Sequence, residues 1–267
     1  MILNIEPLRV LKFGQLPVQI YASNEELGQA AAQDAQAAML RAIAERGEAN
    51  VILATGNSQL STLHALRQQA DIPWSRVRFF HMDEYIGISA HHPARFSHFL
   101  HQHFFDHLSE APAAFYPVPL LDNPYDARAF EATCREYETL LRQYPADVCL
   151  LGIGENGHLA FNDPPYAQFD DPAWVKVIQL AQESRQQQVN EGHFAAVEET
   201  PTHAITLTIP ALLAAKRVLA IVPEARKIDA VYRTLYGPIN EECPSSILRK
   251  TPHAHLFLDA DSARQIQ

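Results

Sequence analysis

The chain has 267 residues, 47% hydrophobic and 19% charged, a balance that supports a packed core and excludes a disordered, highly charged polymer. Its 21 Lys and Arg against 31 Asp and Glu leave a net charge of −10, so the broad basic face of a nucleic-acid binder is not expected, although one cleft can still be cationic. The three cysteines, Cys134, Cys149 and Cys243, lie far apart, which argues against a disulfide framework and a thiolate zinc site.

The first six residues, Met1 to Glu6, lack the basic and apolar stretches of a secretory signal, and no apolar run approaches the ~18 residues that span a bilayer. A cytoplasmic protein without membrane contact is expected. In chain order, Val18-Gln19-Ile20-Tyr21 reads as a strand, and Ser23-Asn24-Glu25-Glu26 as a capping box opening an Ala-rich helix over 23–44. A buried-type strand follows at 50–54, a helix at 61–69 and a third strand at 76–80. Helices are expected at 94–108 and 125–144, then a strand at 147–151 apolar enough for burial on both faces. The last third holds strands at 204–208, 218–222 and 255–258, with a helix at 225–235.

This succession predicts an α/β class: a doubly wound, mostly parallel sheet with helices on both faces. No repeat or Gly/Ser linker divides the chain, so one domain over 1–267 is expected, with 112–124 and 163–172 as long surface loops. In such sheets ligands bind beyond the carboxyl ends of the strands.

Four of those strand ends carry chemistry. After the second strand, Ala54-Thr55-Gly56-Asn57-Ser58 sets a glycine turn and small polar residues at a helix start, suited either to anion binding or to plain capping. After the third, His81-Met82-Asp83-Glu84-Tyr85 places two carboxylates on opposite sides of the backbone, so one can enter a cleft; an Asp there is suited either to proton transfer or to capping and loop fixing. Next comes Gly152-Ile153-Gly154-Glu155-Asn156-Gly157-His158, whose spacing has the letters of a dinucleotide fingerprint. Pro164-Pro165 would stop the required helix within two turns, so no NAD site is expected, but a glycine wall presenting His158 beside Asp163 is. After the strand at 218–222, Arg226 and Lys227 sit where a helix dipole disfavours cations, which is explicable if one of them reaches into a cleft. The histidines at 91, 92, 98, 101, 103 and 107 include an i, i+4 pair, His103 and His107. No third ligand is evident, so no metal is expected.

Taken together and in order, these blocks resemble glucosamine-6-phosphate deaminases and their relatives, which include 6-phosphogluconolactonases. The Met82-Asp83-Glu84-Tyr85-Ile86-Gly87 block, His92-Pro93, Phe104-Phe105-Asp106-His107, the segment Gly152 to Asn162 and Pro201 to Thr208 carry the likeness over nearly the whole chain. The resemblance implies an aldose–ketose isomerisation coupled to deamination, with a small sugar phosphate as partner and no metal or organic cofactor. Thr55, Gly56, Asn57, Ser58 and Lys227 would hold the 6-phosphate. Asp83 would carry the proton from C2 to C1, and His158, supported by Asp163 and Asn156, would assist ring opening. Glu84, Gly154, Gly157 and Arg185 complete the expected substrate-contacting set, Arg185 being the cation nearest the family's second phosphate-binding arginine. Homo-oligomers occur in the family, which leaves that assembly open here.

The chain departs from the family pattern where deaminases usually carry Glu instead of Asp163 and often Asp instead of Asn156. Two other classes compete: a lactonase, expected to show Asp-Glu-Arg where this chain has Asp83-Glu84-Tyr85, and a non-catalytic sugar-phosphate sensor, expected to follow a basic DNA-binding domain. The deaminase reading requires that the Thr-Gly turn, the tip of the third strand and the histidine loop converge on one crevice.

Overall fold

The computed structural model describes residues 5–121, 126–164 and 166–267. Residues 1–4, 122–125 (with Pro124 and Tyr125) and Pro165 lie outside that description. The chain opens with an antiparallel pair, β1 (Arg9–Phe13) and β2 (Leu16–Tyr21). It enters α1 (Asn24–Arg46) through Ser23, whose hydroxyl accepts from Glu26 N while the Glu26 carboxylate accepts from Ala22 N. This is reciprocal capping with its return leg one residue early. There follow β3 (Ala49–Leu53), α2 (Leu60–Arg67), β4 (Val77–His81), β5 (Asp83–Tyr85), α3 (Phe96–His103), β6 (Ala114–Tyr116), α4 (Ala127–Gln143) and β7 (Val148–Leu151). The remainder holds β8 (Val175–Gln179), α5 (Gln182–Asn190), β9 (His203–Leu207), α6 (Ile209–Leu213), β10 (Arg217–Val222), α7 (Ile228–Tyr236) and β11 (Ala254–Asp259).

Eight strands form one sheet in the order β1-β2-β11-β10-β7-β3-β4-β6, parallel except for β1 against β2. Alternate strand residues feed two cores. Val51, Leu53, Phe79, Leu150 and Ile221 pack with α1, α2 and α3 on one face, while Ile52, Phe80, Leu151, Ala220 and Leu256 pack with α4, α6 and α7 on the other. Burial on both sides explains why these strands read as unbroken apolar runs. The result is a doubly wound, mostly parallel α/β sheet.

Two expectations change. The strand near 204–208 is not in this sheet; β9 is the centre of a second, antiparallel sheet ordered β5-β9-β8. The chain crosses from one sheet to the other at Met82, whose carbonyl accepts from Leu207 N. The segment 112–124 is not loop throughout, since Ala114–Tyr116 adds an edge strand beside β4.

The chain leaves β3 for β4 on one side of the sheet and leaves β7 for β10 on the other. The winding direction therefore reverses between β7 and β3, and a crevice opens there beyond the strand carboxyl ends.

Candidate active site

Loops after four neighbouring strands line that crevice. Behind β3, Ala54 N donates to Leu150 O across the sheet, and Gly56 then takes φ 97, a left-handed conformation that frees the turn into a short 3-10 helix, Asn57–Gln59. Thr55, Gly56 and Ser58 line the cavity, whereas Asn57 does not. Beneath the loop, buried Gln59 donates 3.4 Å to Ile221 O at the end of β10 and lies 3.4 Å from Ser58 Oγ. Its amide ties two loops of the site together, a role with no signature in the sequence.

At the sheet junction the two consecutive carboxylates part, as strand geometry requires. Asp83 lines the cavity, and among the described residues no donor reaches either of its oxygens. Burial, and secondarily the charge of Glu84, holds its pKa well above the ordinary carboxylate range. Glu84 faces away, and its expected place among the substrate contacts is corrected. It accepts from the backbone N–H of Tyr85, Phe96 and Ser97 and from Ser97 Oγ at 3.1–3.2 Å, with Arg95 Nε at 3.6 Å. Glu84 thus caps α3, satisfying donors that helix leaves open.

The loop after β7 carries His158. Gly154 N donates to His158 O, and the His158 ring fills the space a Cβ on Gly154 would need. Gly154 lines the cavity; Gly157, at φ 91, packs against Cys243 instead and is not a cavity residue. His158 Nδ1 lies 2.9 Å from Asp163 Oδ1, so the imidazole presents its other nitrogen. Asp163 is fully buried; the same Oδ1 accepts from Asn156 Nδ2 at 2.7 Å and Ser184 Oγ at 2.6 Å. Burial would raise this carboxyl, but the attraction of His158 and the three hydrogen bonds outweigh it and bring its pKa down to about 2. Asn156 also accepts from His158 N at 3.0 Å, so the shorter Asp and the neutral Asn still hold the ring. The turn that follows is pinned by Asn162, whose side chain donates to Leu159 O and Leu207 O, both at 2.8 Å. No helix follows the glycines before Trp174 among the described residues.

Beyond β10 the two cations separate. Lys227 is 3% exposed and lines the cavity, and no acceptor among the described residues binds its ammonium. Burial, reinforced by the neighbouring Arg226 charge, lowers its pKa to about 8 against the pull of Glu191, Glu155 and Glu224. Arg226 turns aside to Glu191 at 2.6 Å and Glu224 at 2.5 Å. Glu224 takes φ 81, and its N–H is held by the Asp259 carboxylate at 3.0–3.2 Å. Ala160 is the other non-glycine residue with left-handed backbone among those described, and it lines the cavity, as Glu224 does not. Such strain persists only where surrounding bonds enforce it.

The expected contact from Arg185 is corrected: its guanidinium donates to Val197 O and to Thr200 O, 3.0 Å for the latter, away from the cavity. In its place α5 presents neutral Gln187 and Gln188 together with Glu191. Among the described residues no cluster of three or more His, Cys, Asp or Glu is arranged to hold a metal ion. The clustered histidines work separately: His101 meets Asp106, His107 meets Gln102 O and His92 stacks on Phe194.

The crevice thus gathers an undonated carboxyl, an imidazole braced by a buried carboxylate, a buried ammonium and a glycine turn. That set suits proton transfer on a small anionic ligand.

Comparison with known proteins agrees with the geometry. The family described as glucosamine-6-phosphate isomerases/6-phosphogluconolactonase matches residues 22–257. A glucosamine-6-phosphate deaminase of Bacillus cereus (strain B4264) is 32% identical over 210 residues, covering 79% of this chain and 75% of that protein. Glucosamine-6-phosphate deaminase 2 of Bacillus subtilis (strain 168) is 33% identical over 221 residues, covering 80% and 85%. Among solved structures, a monomeric glucosamine-6-phosphate deaminase superposes with a TM-score of 0.81 at 29% identity, covering 92% of this chain and 98% of the other. The 6-phosphogluconolactonase of Trypanosoma brucei, 17% identical with a TM-score of 0.75 over 97% and 100% of the chains, shares the fold. No described helix is long and apolar enough to cross a membrane. The chain belongs to the glucosamine-6-phosphate isomerase/6-phosphogluconolactonase family.

Proposed function

We propose that the protein is an amino-sugar-phosphate deaminase, converting glucosamine 6-phosphate or a close hexosamine 6-phosphate and water to the ketose 6-phosphate and ammonia. One observation carries this reading: Asp83, His158 and Lys227 border the same cavity as the Thr55–Ser58 turn. A phosphate seated on Thr55, Gly56, Ser58 and the Lys227 ammonium leaves the sugar carbons toward Asp83 and His158. His158, held by Asp163 and Asn156, relays a proton to the ring oxygen as the sugar opens. Asp83 takes the proton from C2 and returns it to C1 through an enolamine, a transfer suited to a carboxyl whose proton affinity burial raises. The resulting C2 imine adds water, the C2–N bond breaks and ammonia leaves. Each atom is accounted for by sugar and water, so the step asks for no redox partner. Tyr85 where a lactonase is expected to carry Arg favours this chemistry over ester hydrolysis.

The test is a panel of hexosamine 6-phosphates scored by ammonia release, beside 6-phosphogluconolactone scored by acid release. Ammonia from an aminosugar phosphate supports the proposal. Acid production alone assigns the chain to the lactonases, and turnover of neither makes it a binding protein.

A further inference from the structure

We propose that Ser184 is a positioning residue for proton transfer at His158, acting through Asp163, and that it makes the order of the His158–Asp163 pair depend on the seating of helix α5. The inference deepens the function proposed above and rests on it.

Ser184 lies in the first turn of α5 and is 2% exposed. A serine there ordinarily turns to the backbone or to water. This one donates 2.6 Å to Asp163 Oδ1 and lies 3.4 Å from His158 Nδ1. All three donors to Asp163 converge on Oδ1, while buried Oδ2 receives none. Asn156 and His158 belong to the same loop as the carboxylate they hold, and the terminal torsion of Asp has broad wells, so those two alone leave the carboxylate plane loosely set. Ser184 comes from a different element, 21 residues on, and fixes that plane from outside the loop.

The same helix reaches the cationic end of the cavity. Gln187 and Gln188 face the cavity, and Glu191, just past the last turn, binds Arg226 at 2.6 Å beside Lys227. A phosphate drawn to Lys227 therefore bears on one end of α5, and the other end braces the carboxylate behind the imidazole. Partners that orient metal-bound histidines are typically worth 10- to 100-fold in activity, and the same orienting duty at His158 sets the scale expected here.

The experiment compares wild type with Ser184→Ala and Ser184→Thr. In Ser184→Ala, kcat for ammonia release is expected to fall about 10- to 100-fold, with KM within about threefold, and Ser184→Thr, which keeps the hydroxyl, restores most of it. A second readout is independent of turnover: the hydrogen-bonded His158 Nδ1 proton, followed by NMR, shifts or broadens in the alanine variant and is retained in the threonine one. Wild-type kcat with an unmoved resonance in Ser184→Ala overturns the inference. So does equal loss in both variants with a matching fall in thermal stability, which makes Ser184 a packing residue. If the wild type turns over no hexosamine 6-phosphate, the proposed function fails, and the resonance alone decides the Ser184 coupling.

Discussion

The two edges of the parallel sheet treat charge in opposite ways. At the amino edge, buried Asp147 takes Arg46 at 2.6–2.7 Å, Lys216 at 3.2 Å and Asn50 N at 2.9 Å. Nearby, Asp34 takes Arg217 at 2.5–2.9 Å and lies 3.5 Å from His255. At the carboxyl edge Asp83 receives no donor and the Lys227 ammonium meets no acceptor among the described residues. Buried charges are costly unless paired. Charges at the first edge meet that requirement inside the chain and serve the fold. At the second edge Asp83 and Lys227, set among paired neighbours such as Arg226 with Glu191, stay unmatched beside an open crevice, the arrangement that awaits a partner from outside.

The contrast can be broken most sharply at Asp83. Asp83→Asn should lower kcat for ammonia release by about a thousandfold, with phosphosugar binding by calorimetry nearly unchanged. Its stability should move the other way. A carboxyl whose folded pKa lies above its unfolded value loses stability as pH rises through the ordinary carboxylate range. The asparagine variant escapes that loss, so its Tm should equal or exceed wild type at pH 7 and the gap should close toward pH 4. A lower Tm at pH 7 would show that Asp83 has a partner after all.

Lys227→Met comes next, with kcat/KM expected to fall about 100-fold, largely through KM, from losing charged hydrogen bonds to phosphate. In the wild type KM should rise above about pH 8, where the free ammonium releases its proton, and the methionine variant should lose that limb. Asp147→Asn is the matched control at the opposite edge: roughly 1–3 kcal/mol less stable in denaturant melts, with kcat unchanged. The smallest effect is expected for Asn57→Ala, about twofold in kcat/KM at most, since Asn57 does not line the cavity. A large loss there would restore it to the phosphate contacts.

Much of this was legible in residue order. Strands β3, β7, β10 and β11 announce themselves because both faces are buried, and Ser23 marks the start of α1 by cap chemistry. The elements missed are those without such signals. They are β1, β5, β6, β8, α5 and α6: β5 and β6 have three residues each and α6 five, β1 is a largely exposed edge strand, β8 belongs to the small second sheet, and α5 reads Gln-Glu-Ser-Arg-Gln-Gln-Gln-Val-Asn, with no apolar stripe to mark a buried side. At the site, residue type pointed to Asp83, His158 and the Thr55 turn, and only the family resemblance chose Lys227 over Arg226; type alone does not say where a side chain turns. Glu84 and Arg185 went to helix capping and to loop carbonyls for that reason. Gln59, Asn162 and Ser184 were silent, because a buried amide or hydroxyl acquires its meaning only from the tertiary neighbours it meets.

Met82 is the single residue between β4 and β5, and it joins a parallel sheet to an antiparallel one. Since extended chain alternates sides, the duties of the two acids beyond it are assigned by parity. Adding or removing one residue at this joint would swing the helix-capping acid into the crevice and drive its neighbour onto the first turn of α3. The joint can therefore accept a change of side chain far more readily than a change of length, which makes a one-residue insertion beside Met82 more damaging than any substitution there.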